Sequence, residues 1–177
     1  MAAQLNSPIS DSYWVHPGQL LAGEYPRDWD DDTSRHKLRL LLGAGVAFFL
    51  DLTQAGEYGL RPYRPLLREE AIAPGQAVDH CRMPIRDMDT PTQQEMMRIL
   101  DMIDAELVEG RTVYVHCFGG IGRTGTVVGC YLVRHGKSGR EALDEIEHLR
   151  RDMPAAWQRS PETEMQRQMV RAWRVGK

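Results

Sequence analysis

The sequence predicts an α/β protein with a mostly parallel central sheet and helices on both of its faces. Three observations carry that prediction. Val46 to Leu52 (VAFFLDL) is a short, nearly continuous apolar run, which is how a strand buried on both faces reads. Thr112 to Val115 (TVYV) is a second strand-like run, and a glycine-rich loop leads from it straight into a helical pattern. Strand-like and helix-like segments alternate along the chain, and parallel strands need crossovers of that kind.

In chain order, residues 1–12 are small and polar and are expected to be flexible, with a single domain over 13–177. Leu20 to Tyr25 reads as a short strand ending at Pro26. Four acids between Asp28 and Asp32 suit a helix N-terminus, and Leu38, Leu41 and Leu42 continue at helical spacing. Gly43-Ala44-Gly45 closes that helix. Residues 53–76 hold three glycines and three prolines and form the least regular stretch, with one helix over Leu66–Ile72. Val78 to Pro84 is a third strand candidate. Thr90, Pro91 and Gln93 predict a helix start, as cap, first helical residue and capping-box partner. Met96, Ile99, Leu100, Ile103 and Leu107 then line one face. After Thr112–Val115, helices are expected over Thr124–Arg134, Ser138–Arg150 and Pro161–Arg174.

Bulk composition narrows the function classes. The chain has 177 residues, 42% hydrophobic and 27% charged, as a single soluble domain has. A net charge of −3 gives no support to nucleic-acid binding. Three cysteines make no disulfide framework. The longest apolar run, Leu40 to Leu50, contains two glycines and is too short for a membrane span. The first ten residues have neither the basic nor the apolar region of a secretory signal, so the expected setting is cytoplasmic.

The chemistry concentrates in His116-Cys117-Phe118-Gly119-Gly120-Ile121-Gly122-Arg123-Thr124-Gly125. A buried strand delivers Cys117 to its carboxyl end, where ligands bind in such sheets. Unpaired N–H groups and the positive end of a helix dipole favour the thiolate there. A thiolate is a strong nucleophile at neutral pH. Gly119, Gly120 and Gly122 let successive backbone N–H groups form an anion nest. Arg123, six positions after the cysteine, adds a planar fork that binds two phosphate oxygens. A nucleophile beneath a cradle for a tetrahedral dianion points to cysteine-based phosphoryl transfer.

This wording resembles the phosphate loop of the protein tyrosine phosphatase superfamily, most closely its dual-specificity branch. The small single-domain group that includes the cyclin-dependent-kinase-associated phosphatase is the most similar. The resemblance is tight over residues 84–134 and looser elsewhere. It implies the phosphotyrosine protein phosphatase fold and a phosphocysteine intermediate on Cys117. It implies that Arg123 and the main-chain amides from Phe118 through Gly119, Gly120, Ile121 and Gly122 to Arg123 hold the phosphoryl group. Thr124 would give its hydroxyl to the sulfur, and His116 would fix the loop. The general acid of the superfamily is an Asp about 30 residues upstream of the cysteine. Pro84-Ile85-Arg86-Asp87-Met88-Asp89-Thr90-Pro91 resembles the acid loop of the kinase-associated group, so Asp87 is the expected acid and Asp89 its rival. Gln166 resembles a glutamine that orients the attacking water in some members; an exposed helix glutamine is the alternative. No cofactor or metal is expected, because Arg123, amides and a helix end supply the positive charge.

The implied substrates are a phosphorylated protein or a small phosphoester, with phosphate, sulfate or vanadate as inhibitory oxyanions. No Trp-Pro-Asp acid loop and no aromatic phosphotyrosine clamp is evident in the sequence. Inositol phosphates, phosphoinositides and a non-catalytic phosphate-binding module stand as alternatives. Arg61, Arg64, Arg68, Arg82 and Arg86 form a local basic excess that would suit a multiply phosphorylated substrate, or simply a solvated face. Cys81 and Cys130 are expected to be structural, with protective pairing to an oxidised Cys117 as the alternative. Asp51 ends a strand at the functional edge, where it is placed to organise loops.

Overall fold

The computed structural model describes residues 6–71 and 77–176. Its elements in order are β1 (Ser12–His16), β2 (Leu20–Gly23), α1 (Asp31–Gly43), β3 (Val46–Asp51), α2 (Arg64–Glu70), β4 (Asp79–Arg82), α3 (Gln93–Val108), β5 (Thr112–His116), α4 (Gly122–Arg134), α5 (Gly139–Arg150) and α6 (Glu164–Ala172), with a single 3₁₀ turn at Glu57–Gly59. The five strands lie in the order β1-β2-β5-β3-β4. β1 and β2 pair antiparallel as a hairpin, and the other three pairings are parallel. The predicted mostly parallel α/β architecture is therefore the observed one.

The pleat sorts the strand residues between two cores. Val113, Val115, Phe48 and Leu50 join one cluster with Met96, Ile99, Val127, Leu132, Ile146 and Val170 from α3 to α6. Tyr114 and Phe49 point the other way, to Leu38 and Leu41 of α1 and Leu66 and Leu67 of α2. β5 lies between β2 and β3 with Val113, Tyr114 and Val115 fully buried. Its carboxyl end opens at the edge where the candidate residues gather.

Several boundaries differ from the sequence expectations, each for a local reason. β1 is absent from the sequence expectations, and it is joined to the stretch expected to be flexible. Ile9 is buried, Ser12 begins β1, and the Ser12 hydroxyl donates to Ile9 O at 2.8 Å. Residues 1–5, expected to be flexible, lie outside the described residues, as does Ile72, the expected end of α2. α3 is capped by Thr92, not Thr90. Thr92 Oγ1 accepts from Glu95 N, and Glu95 accepts in return from Thr92 N, a complete capping box. Thr90-Pro91-Thr92-Gln93-Gln94-Glu95 offers two overlapping cap patterns, and the later one places a carboxylate on the helix dipole. α6 likewise starts after a capping box, Thr163 with the neutral Gln166 as partner, rather than at Pro161.

Candidate active site

The phosphate-loop segment is built by what comes before and after it. β5 ends at His116, Cys117 follows with 3% exposure, and α4 begins at Gly122. Tyr25 N donates to Phe118 O at 2.8 Å, which ties the loop to the end of β2. Gly120 has φ +71, and a Cβ there would stand 2.5 Å from the Gly23 carbonyl carbon. Only glycine fits both constraints. At the far end, Ser160 Oγ donates to Ile121 O at 2.7 Å. That hydroxyl would lie 2.2 Å from a Cβ at residue 125, so Gly125 is required for the loop to be held this way.

The loop's donors are left available. Helices α1, α3, α5 and α6 each have a side chain that caps the N-terminus; α2, with Pro65 in its first turn, and α4 have none. The N–H groups of Phe118, Gly119, Gly120 and Ile121 donate to no protein group among the described residues. Together with the first N–H groups of α4 they form an unpartnered run of donors beside a buried thiol. Unpaired N–H groups converging at a helix start are ready to take an anion or water.

Arg123 is held in place before any ligand arrives. Its guanidinium, 1% exposed, donates from Nη1 to Glu57 Oε2 at 2.8 Å and from Nη2 to Glu57 Oε1 at 2.7 Å. Nη1 also reaches Ile85 O at 3.1 Å. Nη2 lies 3.0 Å from Asp87 Oδ1. Nε is buried and has no partner. Burial alone would lower the guanidinium's proton affinity, but the Glu57 bonds and the charges of Cys117, Glu57 and Asp87 outweigh it and raise it. The end-on edge of the fork is thus fixed by protein, and Nε remains for a ligand.

The structure separates the two candidate acids. Asp87 contacts Arg123, and its Oδ2 accepts from Tyr58 OH at 2.7 Å. Asp89 instead accepts from Thr90 N at 2.8 Å and closes the turn with a bond from its own N to Arg86 O. Asp51 organises this edge as expected. It is fully buried and accepts from Thr53 N and Oγ1 and from Arg82 Nε and Nη2. Burial alone would raise its carboxyl, but bonds from His80 and Thr53 and the neighbouring His116 hold it well below the usual carboxylate range. The carbonyls of Asp51 and Leu52 accept from Met83 N and Ile85 N, so β3 carries the start of the acid loop.

His116 is buried and neutral. Cys117 O can only accept, so Nδ1 of His116, 3.3 Å away, is the protonated nitrogen. Nε2 then accepts from Tyr63 OH at 2.7 Å. Burial pushes the imidazole down to about 4, with Asp51 opposing that shift. Thr124 Oγ1 is buried with no hydrogen-bond partner, so the expected contact with the cysteine sulfur is not made in this structure. Thr126, two residues along, spends its hydroxyl on Gly122 O, whereas that of Thr124 stays uncommitted.

Gln166 is fully buried rather than an exposed helix residue. Its Oε1 accepts from Glu162 N and Thr163 N, and its Nε2 donates to Asp89 O at 3.2 Å. A Cβ on Gly122 would stand 3.1 Å from it. The side chain therefore links α6, the acid loop and the phosphate loop, and its oxygen is already occupied.

Glu57 and Tyr58 were not singled out in the sequence. Their only signal is the pair of glycines around them, Gly56 and Gly59, both at positive φ. The five arginines do not form one basic face. Arg82 is bound to Asp51, and Arg61 to Asp31 and the Trp29 carbonyl. Arg61 lines a groove of about 270 Å³ beside Phe118 and Gly119, walled by Tyr25, Trp29 and Tyr58. Cys81 pairs with Leu50, which pairs with Val115. Two strand spacings of about 4.8 Å place Cys81 beyond the ~7 Å Cα limit for a disulfide with a β5 residue. Cys130 is buried two turns along α4, and burial pushes its thiol up. Among the described residues no group of three His, Cys, Asp or Glu side chains gathers as a metal site, and no helix is long and apolar enough to cross a membrane.

Comparison with known proteins agrees with this geometry. The phosphatidylglycerophosphate phosphatase PTPMT1 of Arabidopsis thaliana is 34% identical over 104 residues, covering 54% of this chain and 30% of that protein. The chain spans 30%, 52% and 42% of the lengths of the first three curated relatives. A kinase-associated phosphatase structure superposes with TM-score 0.70 at 20% identity, over 85% of this chain and 83% of that one. A PTPMT1 structure in complex with PI(5)P gives 0.65 at 22%, over 87% and 88%. The family described as "Swiss Army Knife protein, DSP-PTPase phosphatase domain" matches residues 10–174. Little of the chain falls outside that match: it belongs to this dual-specificity phosphatase family, within the protein tyrosine phosphatase superfamily.

Proposed function

We propose that the protein is a phosphomonoester hydrolase that works through a phosphocysteine intermediate and needs no metal. The observation that carries the proposal is the run of unpartnered N–H groups at Phe118–Ile121 beside the buried Cys117, with the free Nε of Arg123 at its end. The phosphate dianion docks on these donors. The Cys117 thiolate attacks phosphorus in line, and the S–P bond forms as the P–O bond to the leaving group breaks. Asp87, protonated, gives its proton to the departing oxygen. Water then attacks the phosphocysteine, Asp87 takes its proton, and phosphate and thiolate are regenerated. Thr124, whose hydroxyl is uncommitted, supports the sulfur as it leaves. His116, locked as a neutral donor to Cys117 O, keeps the loop in shape. Gln166 holds acid loop and phosphate loop together; any part in orienting water falls to its remaining N–H.

The substrate reading is a phosphorylated protein, with an aromatic-walled groove of about 270 Å³ beside the phosphate site to receive the flanking group. The exposed rings of Tyr58 and Phe118, 5.6 Å apart, both line it. A phosphoinositide or other lipid phosphate is the second reading, favoured by likeness to the PTPMT1 structure that binds PI(5)P. The test is phosphate release in EDTA from phosphotyrosine and phosphothreonine peptides, inositol phosphates and phosphoinositides, with Cys117→Ser as control. Cysteine-dependent release is expected, with peptides the best substrates and vanadate competing. Best turnover of a phosphoinositide moves the substrate to the second reading. Vanadate binding without release from any substrate favours a non-catalytic phosphate-binding module.

A further inference from the structure

Glu57 and Tyr58 sit in a loop with an unusual backbone. Gly56, Tyr58 and Gly59 have φ of 73, 51 and 70, all left-handed. Among the described residues only two that are not glycine have positive φ: Tyr58 and Met88. Tyr58 donates to Asp87, and Met88 follows Asp87 in the chain. Such backbone is disfavoured for L side chains and persists where surrounding structure holds it, typically at functional sites. Here the consequence is geometric. The loop turns Glu57 inward to Arg123 and leaves Tyr58 67% exposed, with its hydroxyl on Asp87 and its ring against Phe118. An exposed tyrosine on strained backbone gains little from packing, so its position is set by what its hydroxyl touches.

We infer that Tyr58 is a positioning residue for the general acid, an inference that rests on Asp87 having that role. The two carboxyl oxygens of Asp87 have different partners: Oδ2 takes the Tyr58 hydroxyl, and Oδ1 lies on Arg123 Nη2. The tyrosine anchors Oδ2 and turns Oδ1 toward the phosphate cradle. An incoming phosphate competes with Oδ1 for the edge of the guanidinium formed by Nη2 and the unpartnered Nε. Oδ1 is then the oxygen that carries the proton. As the P–O bond breaks, that proton passes to the leaving oxygen, and the resulting carboxylate is stabilised by the Tyr58 hydrogen bond it already holds.

Tyr58→Phe removes the hydroxyl and keeps the ring on Phe118. Two aryl phosphates read the effect: p-nitrophenyl phosphate, whose leaving group needs little protonation, and phenyl phosphate, whose leaving group needs it. The expected result is a loss in kcat of about tenfold on phenyl phosphate and less than about twofold on p-nitrophenyl phosphate, with vanadate affinity unchanged. In an Asp87→Asn background the same substitution is expected to change neither rate, because the group it positions is gone. Equal losses on both substrates, or an undiminished loss in the Asp87→Asn background, overturn the positioning role. Failure of the underlying reading looks different. There, Asp87→Asn alone fails to slow phenyl phosphate more than p-nitrophenyl phosphate, and both assignments fall together.

Discussion

Arg123 meets two carboxylates whose contacts have opposite consequences. Glu57 holds it through both oxygens, and the pair is almost completely buried, at 1% and 8% side-chain exposure. That contact fixes the guanidinium and has no reason to break during a cycle. Asp87 touches the same guanidinium through one oxygen and is 32% exposed. That contact must yield if Asp87 is to carry a proton. Glu57→Gln keeps the shape and removes the charge. It is expected to lower kcat/KM on an aryl phosphate at least about tenfold and stability by on the order of 2 kcal/mol. Steady-state kinetics and urea unfolding check this; unchanged kinetics would show that Arg123 holds its pose without Glu57. Cys117 and Arg123 stood out because they share a short linear pattern whose spacing has a chemical reason, and Asp87 because the segment around it resembles a known acid loop. Glu57 was not, because its partner is 66 positions away and only the folded chain joins them. Gln166 was legible as a residue but not as a contact, since its amide joins the Glu162-Thr163 turn to Asp89, 77 positions away.

At the scale of elements, helix existence followed from apolar spacing, and helix starts depended on which of two competing caps won. α3 tests that competition directly. Thr92 accepts from Glu95 N at 3.2 Å, while the Thr90 side chain caps no helix end. Thr92→Ala is expected to cost about 1 kcal/mol, and Thr90→Ala only a few tenths. Urea midpoints of the two variants decide it; the reverse order would place the helix start two residues earlier. β1 is not evident in the sequence because Ser12–His16 runs on from a polar N-terminal stretch. Its evidence was the Pro17-Gly18 turn between two short apolar runs, a hairpin signal easily lost at that length. The absence of a side-chain cap on α4 was also hidden in sequence. A glycine loop says that N–H groups can turn inward, not that no side chain will take them.

For the molecule as a whole, the mostly parallel sheet was legible, but its order was not. Placing β5 between β2 and β3 needs long-range pairing that no local pattern encodes. That central position buries His116 completely, and the burial carries a pH dependence. The imidazole is pushed down to about 4 from 6.5, so the unfolded chain binds the extra proton between those values. Its contribution is complete above about 6.5 and is lost as pH falls toward 4, on the order of 3 kcal/mol in all. His16, also lowered by burial, adds in the same direction, whereas Glu24, raised by burial, opposes it near its own range. Urea midpoints measured from pH 7 to pH 5 should fall in the wild type and fall less steeply in His116→Asn; a flat wild-type profile would contradict a neutral buried His116. The central claim, that Cys117 becomes covalently phosphorylated, is tested most directly by rapid acid quench during turnover of p-nitrophenyl phosphate, followed by peptide mass mapping. The account predicts one phosphoryl group on the sulfur of Cys117 and neither adduct nor turnover in Cys117→Ser. Phosphate release at the wild-type rate from Cys117→Ser, with no adduct on the wild-type cysteine, would contradict it.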